Sequence, residues 1–168
     1  MATLSRSTPL PAQWTLGAAI TTAGFGLAGA MHLVIAPMHL DHAWEHAAAL
    51  ATVGAADLAY TAAWLRRRSW ASVWLGWFLG LTSLSLYAIT RFLPLPFEGR
   101  PEEIEPLGFG TQCFEVAGLL SLASLAVLTG SGAGRVFKVL GLVSGLAVAT
   151  AWLLFGAASL AAALLGAG

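Results

Sequence analysis

The chain has one cysteine, little charge and no surplus of either sign. A lone thiol, Cys113, excludes an intrachain disulfide, a C-x-x-C zinc site and C-x-x-C-H haem attachment. Charged residues make up 10% of the 168 positions, where soluble domains carry about 25%. Eight basic residues balance eight acidic ones, so there is no electrostatic case for nucleic acid as a partner. Histidine is missing from most of the sequence, and all four copies fall between positions 32 and 46. No solenoid-type repeat is visible, and nothing amphipathic is long enough to lie on a membrane surface.

What remains is apolar: 58% of the residues are hydrophobic. A membrane span needs roughly 20 such residues. The pattern predicts a single transmembrane domain, an all-α bundle of five spans over about 14–36, 41–65, 70–92, 111–130 and 137–165. Pro37 is expected to end the first span, because a proline pushes the preceding residue out of the helical region. Asp41 suits the N-cap of the second span, and Arg66, Arg67 and Arg68 close it. Residues 93–110 carry four prolines and three glycines, so they read as a loop. Arg6, Arg66 to Arg68, Arg135 and Lys138 then fall on one side, which places the N-terminus in the cytoplasm of a bacterial cell, in its inner membrane. Arg100 is the exception, in an outer loop dominated by Glu98, Glu102, Glu103 and Glu105. A signal peptide over residues 1–30 is disfavoured, since its charged region is one arginine and the apolar run continues past "GLAGA". Gly76 to Gly80 and Gly141 to Gly145 are small-xxx-small patterns; the preferred reading is the ordinary abundance of glycine in membrane helices. Trp14, Trp64, Trp70 and Trp74 stand where an interfacial belt would be.

Ionisable residues within spans are costly and mark sites. His32 lies five residues before Pro37 and His46 five after Asp41, each roughly 7 Å below the turn at 1.5 Å per residue. Glu115 is expected roughly 6 Å into span four, and Arg91 closes span three. Four spans would thus each bring one ionisable residue to one outer layer. Arg91 and Glu115 could equally form an ion pair that only fixes packing.

His39, His42 and His46 follow i, i+3, i+7 spacing, one helix face. His42 and His46 can chelate one ion as paired helical histidines do. His32 could add a third ligand and Glu115, or a loop carboxylate such as Glu105, a fourth. Such N/O ligation suits zinc or copper(II); Met31 and Met38 are the only argument for copper(I). The alternative is that these histidines bond only water and carbonyls. "HAWEH" also matches H-x-x-E-H of the inverzincin metallopeptidases, with Glu45 as general base and Glu115 as a distant ligand. The soluble α/β context of that family is missing. Bis-histidine haem between His32 and His46 is disfavoured, because helices sharing a short turn pack roughly 8–10 Å apart. Asp57 lies eleven residues after His46, on the same face. It could extend a polar stripe inward, although a bond to Thr61 or Tyr60, or a reach toward a neighbouring helix, is the preferred reading.

"AMHLVIAPMHLDHAWEH", "TRFLPLPFEGRPEEIEPLG" and the following Glu115 resemble a widespread type of small multispanning bacterial membrane protein, common in actinobacteria. The matching positions are His32, Pro37, His39, Thr90, Arg91, Glu105, Pro106 and Gly108, within residues 28–120. His42 and His46 depart from that pattern, and Asp57 stands where glutamine is more usual. The resemblance implies the fold and the outer polar layer, and no activity.

The leading expectation is a membrane protein with a zinc or copper site at its outer face, built on His39, His42 and His46 with His32 and Glu115. Such a protein would handle, sense or transport the metal. A competing expectation is an accessory subunit, bound through small-residue faces to other membrane subunits or to its own copies. A membrane-embedded metal-dependent hydrolase using Glu45 is the third.

Overall fold

The computed structural model describes residues 15–41, 43–93, 102 and 104–128. They form four long helices, α1 (Thr15–Ile35), α2 (Trp44–Arg66), α3 (Trp70–Phe92) and α4 (Pro106–Leu128), with no strand among the described residues. Neighbouring helices run antiparallel, and α1 packs closely on both α2 and α4 while α3 touches α2 and α4 more lightly. Three segments, Leu16–His39, Trp44–Arg66 and Trp70–Phe92, are long and apolar enough to cross a bilayer. The outward faces are apolar: Leu16, Val34 and Phe78 are 73%, 66% and 70% exposed, whereas Asp57 and Glu115 are fully buried. An apolar exterior around a polar interior suits lipid surroundings. The expected fifth span at 137–165, Gly141 to Gly145, His42, Trp14, and the charged residues Arg6, Glu98, Arg100, Glu103, Arg135 and Lys138 lie outside the described residues.

Two helix boundaries differ from the sequence expectation, and both move the site. The α-helix of the first span ends at Ile35, just ahead of Pro37 as expected, but the chain does not break there. The chain continues through a 3-10 turn, Ala36–His39, with proline in its first positions, where the missing N–H has no partner to lose. Leu40 N donates to Pro37 O and Ala43 N to His39 O, so α2 starts at Trp44 on an Ala43 cap and Asp41 caps nothing. Likewise α4 begins at Pro106, inside the expected loop, with Phe109 N donating to Glu105 O. Proline is favoured at a helix's first position, so the residue that read as a breaker is a starter. α3 begins at Trp70, as the expected span of 70–92 has it, and Ser69 caps it by accepting from Ser72 N at 3.2 Å.

Single glycines set the closest approaches. A Cβ on Gly24 would lie 2.8 Å from the Gly118 backbone nitrogen, and one on Gly54 2.8 Å from the Gly29 carbonyl oxygen. These contacts draw α1 onto α4 and α2. Gly76 and Gly80 instead make room for side chains, those of Tyr60, Leu122 and Leu119. Trp64 is not interfacial; it is buried in the core with Phe25, Tyr60 and Trp77 and donates to Ala18 O at 3.4 Å. Gly24→Val is expected to force α1 and α4 apart and to cost about 1–3 kcal/mol, the usual penalty of overpacking. Thermal unfolding in detergent measures it, with Gly26→Val, which faces a looser contact with Thr61, as the milder control.

Candidate functional site

The later start of α2 and the earlier start of α4 change which residues share a layer. Asp57 lies thirteen residues into α2 and Glu115 nine into α4, roughly 20 Å and 14 Å from the helix starts. Both are therefore deep, and there they meet His32. The tight Gly29–Gly54 crossing sets the register: it stacks the His32 Cβ over Gly54 and the Asp57 Cβ over Gly29. His32 Nδ1 is 3.6 Å from Asp57 Oδ2 and 3.7 Å from Glu115 Oε1. From α3, Ser83 Oγ donates to Glu115 Oε1 at 2.7 Å. Each of the four helices thus contributes one polar residue to a single layer, and the four are His32, Asp57, Ser83 and Glu115.

This layer is closed. His32 and Ser83 are 4% exposed and the two carboxylates 0%. Neither Asp57 oxygen, nor Glu115 Oε2, nor His32 Nδ1 has a hydrogen-bond partner among the described residues. Unpaired buried carboxylate oxygens are expensive, and two of these groups face each other with one imidazole as their nearest cationic candidate. The cluster therefore has capacity for a cation or for protons held among the three. Its geometry suits an ion. A tetrahedral zinc with bonds of about 2.1 Å holds its donors about 3.4 Å apart. The His32 separations from the two carboxylates are within a few tenths of that value, and all three donor atoms lie within 4.8 Å of one another.

A second group stands nearer the α1–α2 turn. His39 and His46 pack ring on ring, centroids 4.4 Å apart. Glu102 joins them, pairing with His46 Nδ1 through one oxygen and with Arg91 Nη1 through the other. The Glu102 backbone N–H donates to Thr90 O at 2.9 Å, and the Arg91 guanidinium lies 4.3 Å over the Tyr87 ring. His39, His46 and Glu102 could also surround an ion. Their carboxylate is already neutralised by Arg91, however, and a fixed guanidinium repels a second cation.

Two cavities connect the groups. One of about 30 Å³, enough for a single water, touches His32 of the deep layer and His39, His46 and Arg91 of the other. A larger one of about 240 Å³ opens between α2 and α3, with His32, Ser83 and Gln112 at one side and Glu45 and His46 at the other.

The structure therefore brings together His32 with Glu115, and His39 with His46, but not all of them in one site. His32 and His46 are not level, since His32 meets Gly54, eight residues beyond His46. Arg91 pairs with Glu102 and not with Glu115. Glu105 is exposed and lends its carbonyl to the start of α4; Glu102 takes the place expected of it as the loop carboxylate. Of the expected alternatives for Asp57, the reach toward a neighbouring helix is the one found: it faces His32 of α1 and bonds neither Thr61 nor Tyr60. Glu45 lines the larger cavity, and His46 and Glu115 fall in different clusters, so Glu115 does not join His46 as the distant ligand of the H-x-x-E-H pattern, whose His42 lies outside the described residues. Met38 is 63% exposed, which weakens half of the argument for a thioether ligand. Sequence reasoning missed Ser83 and Glu102 and undervalued Asp57. The signal for Asp57 was the pair Gly29 and Gly54, whose mutual approach fixes the register of α1 on α2.

Comparison with protein-family models, with curated proteins and with solved structures gives no match.

Proposed function

We propose that this chain is a multispanning membrane protein that binds a divalent cation at His32, Asp57 and Glu115 and serves to handle, sense or transport it. The carrying observation is that spacing: an imidazole and two buried carboxylates from three helices, held at 3.6 and 3.7 Å, with both Asp57 oxygens and Glu115 Oε2 lacking a hydrogen-bond donor among the described residues. A divalent ion neutralises both carboxylates and uses the oxygens that the protein leaves without donors. One nitrogen and two carboxylate oxygens favour zinc, with copper(II) as the second choice, over copper(I), which prefers sulfur. The bound ion would act as a Lewis acid or as cargo, and the chain's own residues supply its placement. Ser83 orients Glu115, and the Gly29–Gly54 crossing holds His32 against Asp57. In the reading preferred here five spans place the N-terminus in the cytoplasm, so the His39–His46 end faces outward in a bacterial inner membrane.

Metal content after loading with zinc and desalting tests this. About one zinc per chain is expected for the native protein and for His39→Ala/His46→Ala. None is expected for Asp57→Asn/Glu115→Gln. Loss of zinc in the histidine pair with retention in the carboxylate pair would move the site to the α1–α2 turn.

A further inference from the structure

The cleft between α2 and α3 meets the cation site only at His32 and Ser83, and the rest of its chemistry is of another kind. It has a volume of about 240 Å³ and is lined mainly by α2 and α3. Leu50 and Val53 of α2 and Leu86 of α3 give its middle aliphatic walls, with His32 and Ser83 at one side and Glu45 and His46 at the other. Gln112 of α4 lines it as well, 2% exposed, and its Oε1 has no hydrogen-bond partner among the described residues.

Three physical constraints define an occupant. The volume is just below the range of small-molecule pockets, about 300–1,000 Å³, so a single ring fits and a porphyrin or a two-chain lipid does not. Aliphatic walls at membrane depth favour a lipid-soluble, uncharged body. A buried amide oxygen without a donor favours a ligand that brings an O–H, because leaving such an acceptor unpaired costs about 1–3 kcal/mol. We propose that this cleft binds a neutral single-ring phenol, its hydroxyl donating to Gln112 Oε1 and its ring lying between Leu50, Val53 and Leu86. The cleft borders the cation site at His32, but neither Asp57 nor Glu115 lines it, so the two readings can be tested apart.

Thymol is a suitable probe and its methyl ether the control, which keeps the ring and loses the donated hydrogen. Binding to the full chain in detergent is followed by calorimetry or ligand-observed NMR. The native protein is expected to bind thymol saturably and about tenfold more tightly than the ether. Leu50→Trp and Leu86→Trp, which fill the cleft from opposite walls, are each expected to abolish saturable binding while unfolding no earlier than the native protein. Gln112→Leu is expected to erase the difference between phenol and ether. Asp57→Asn, which removes the cation site, is expected to leave thymol binding intact, so failure of one reading does not carry the other with it. Equal affinity for thymol and its ether in the native protein, or undiminished binding in a filled variant that retains its fold, would overturn the proposal.

Discussion

Asp57→Asn is expected to weaken zinc binding by at least about a hundredfold. Losing an outer-shell partner already costs about 10- to 100-fold in metal affinity, and Asp57 is placed to touch the ion itself. The same change is expected to act in the opposite sense on the metal-free protein. Asp57 is fully buried beside Glu115, and neither of its oxygens has a hydrogen-bond partner among the described residues. Removing that group relieves a burial cost, so the variant without metal should unfold at the native temperature or above it. Thermal unfolding with and without zinc separates the two effects. Zinc should raise the unfolding temperature of the native protein and leave that of the variant unmoved. Zinc affinity should also fall as pH is lowered, since carboxylate ligands must be ionised and imidazole neutral to bind a metal. A merely structural Asp57 would lower stability on substitution and leave the zinc response in place.

Arg91→Leu is expected to cost about 3–5 kcal/mol, the usual penalty for stripping one partner from a buried ion pair. The Arg91 and Glu102 side chains are only 8% and 10% exposed, and Glu102 carries His46 on its other oxygen. Without the guanidinium the carboxylate is buried with a histidine alone, and the tie between α3 and the segment before α4 is lost. Arg91→Lys should recover part of the loss, because an ammonium restores the charge but not the planar contact over Tyr87. A double-mutant cycle with Glu102→Gln measures the coupling. Additive effects would mean that the pair contributes nothing beyond packing.

The helical class and three of the spans were legible because long apolar runs with capped or proline-marked ends leave few other solutions. The interior layer was legible in kind, since one polar residue from each helix was expected and one is found. Its membership was not. Pro37 and Pro106 were read as breaks, whereas one is tolerated inside a 3-10 turn and the other opens a helix. These misreadings moved the start of α2 by three residues and that of α4 by five, while α3 kept its expected bounds. The exchange of Asp57 for His46 and of Ser83 for Arg91 therefore came from the unread register between helices. Register between helices depends on close backbone approach, and the glycines that set it, Gly24, Gly29, Gly54 and Gly118, do not stand in a single motif. Glu102 was hidden for a different reason. Four glutamates crowd the segment between 98 and 105, and nothing in their spacing distinguishes the one that reaches Arg91 and His46.

X-ray absorption at the zinc edge of the loaded full-length protein tests the cation site most directly. The expected spectrum has nitrogen and oxygen donors at about 2.0–2.1 Å, scattering from one imidazole, and no sulfur at about 2.3 Å. Two or more imidazoles would place the ion at His39 and His46, and a sulfur shell would point to Cys113. Either result would contradict the assignment to His32, Asp57 and Glu115, as would a native protein that retains no zinc.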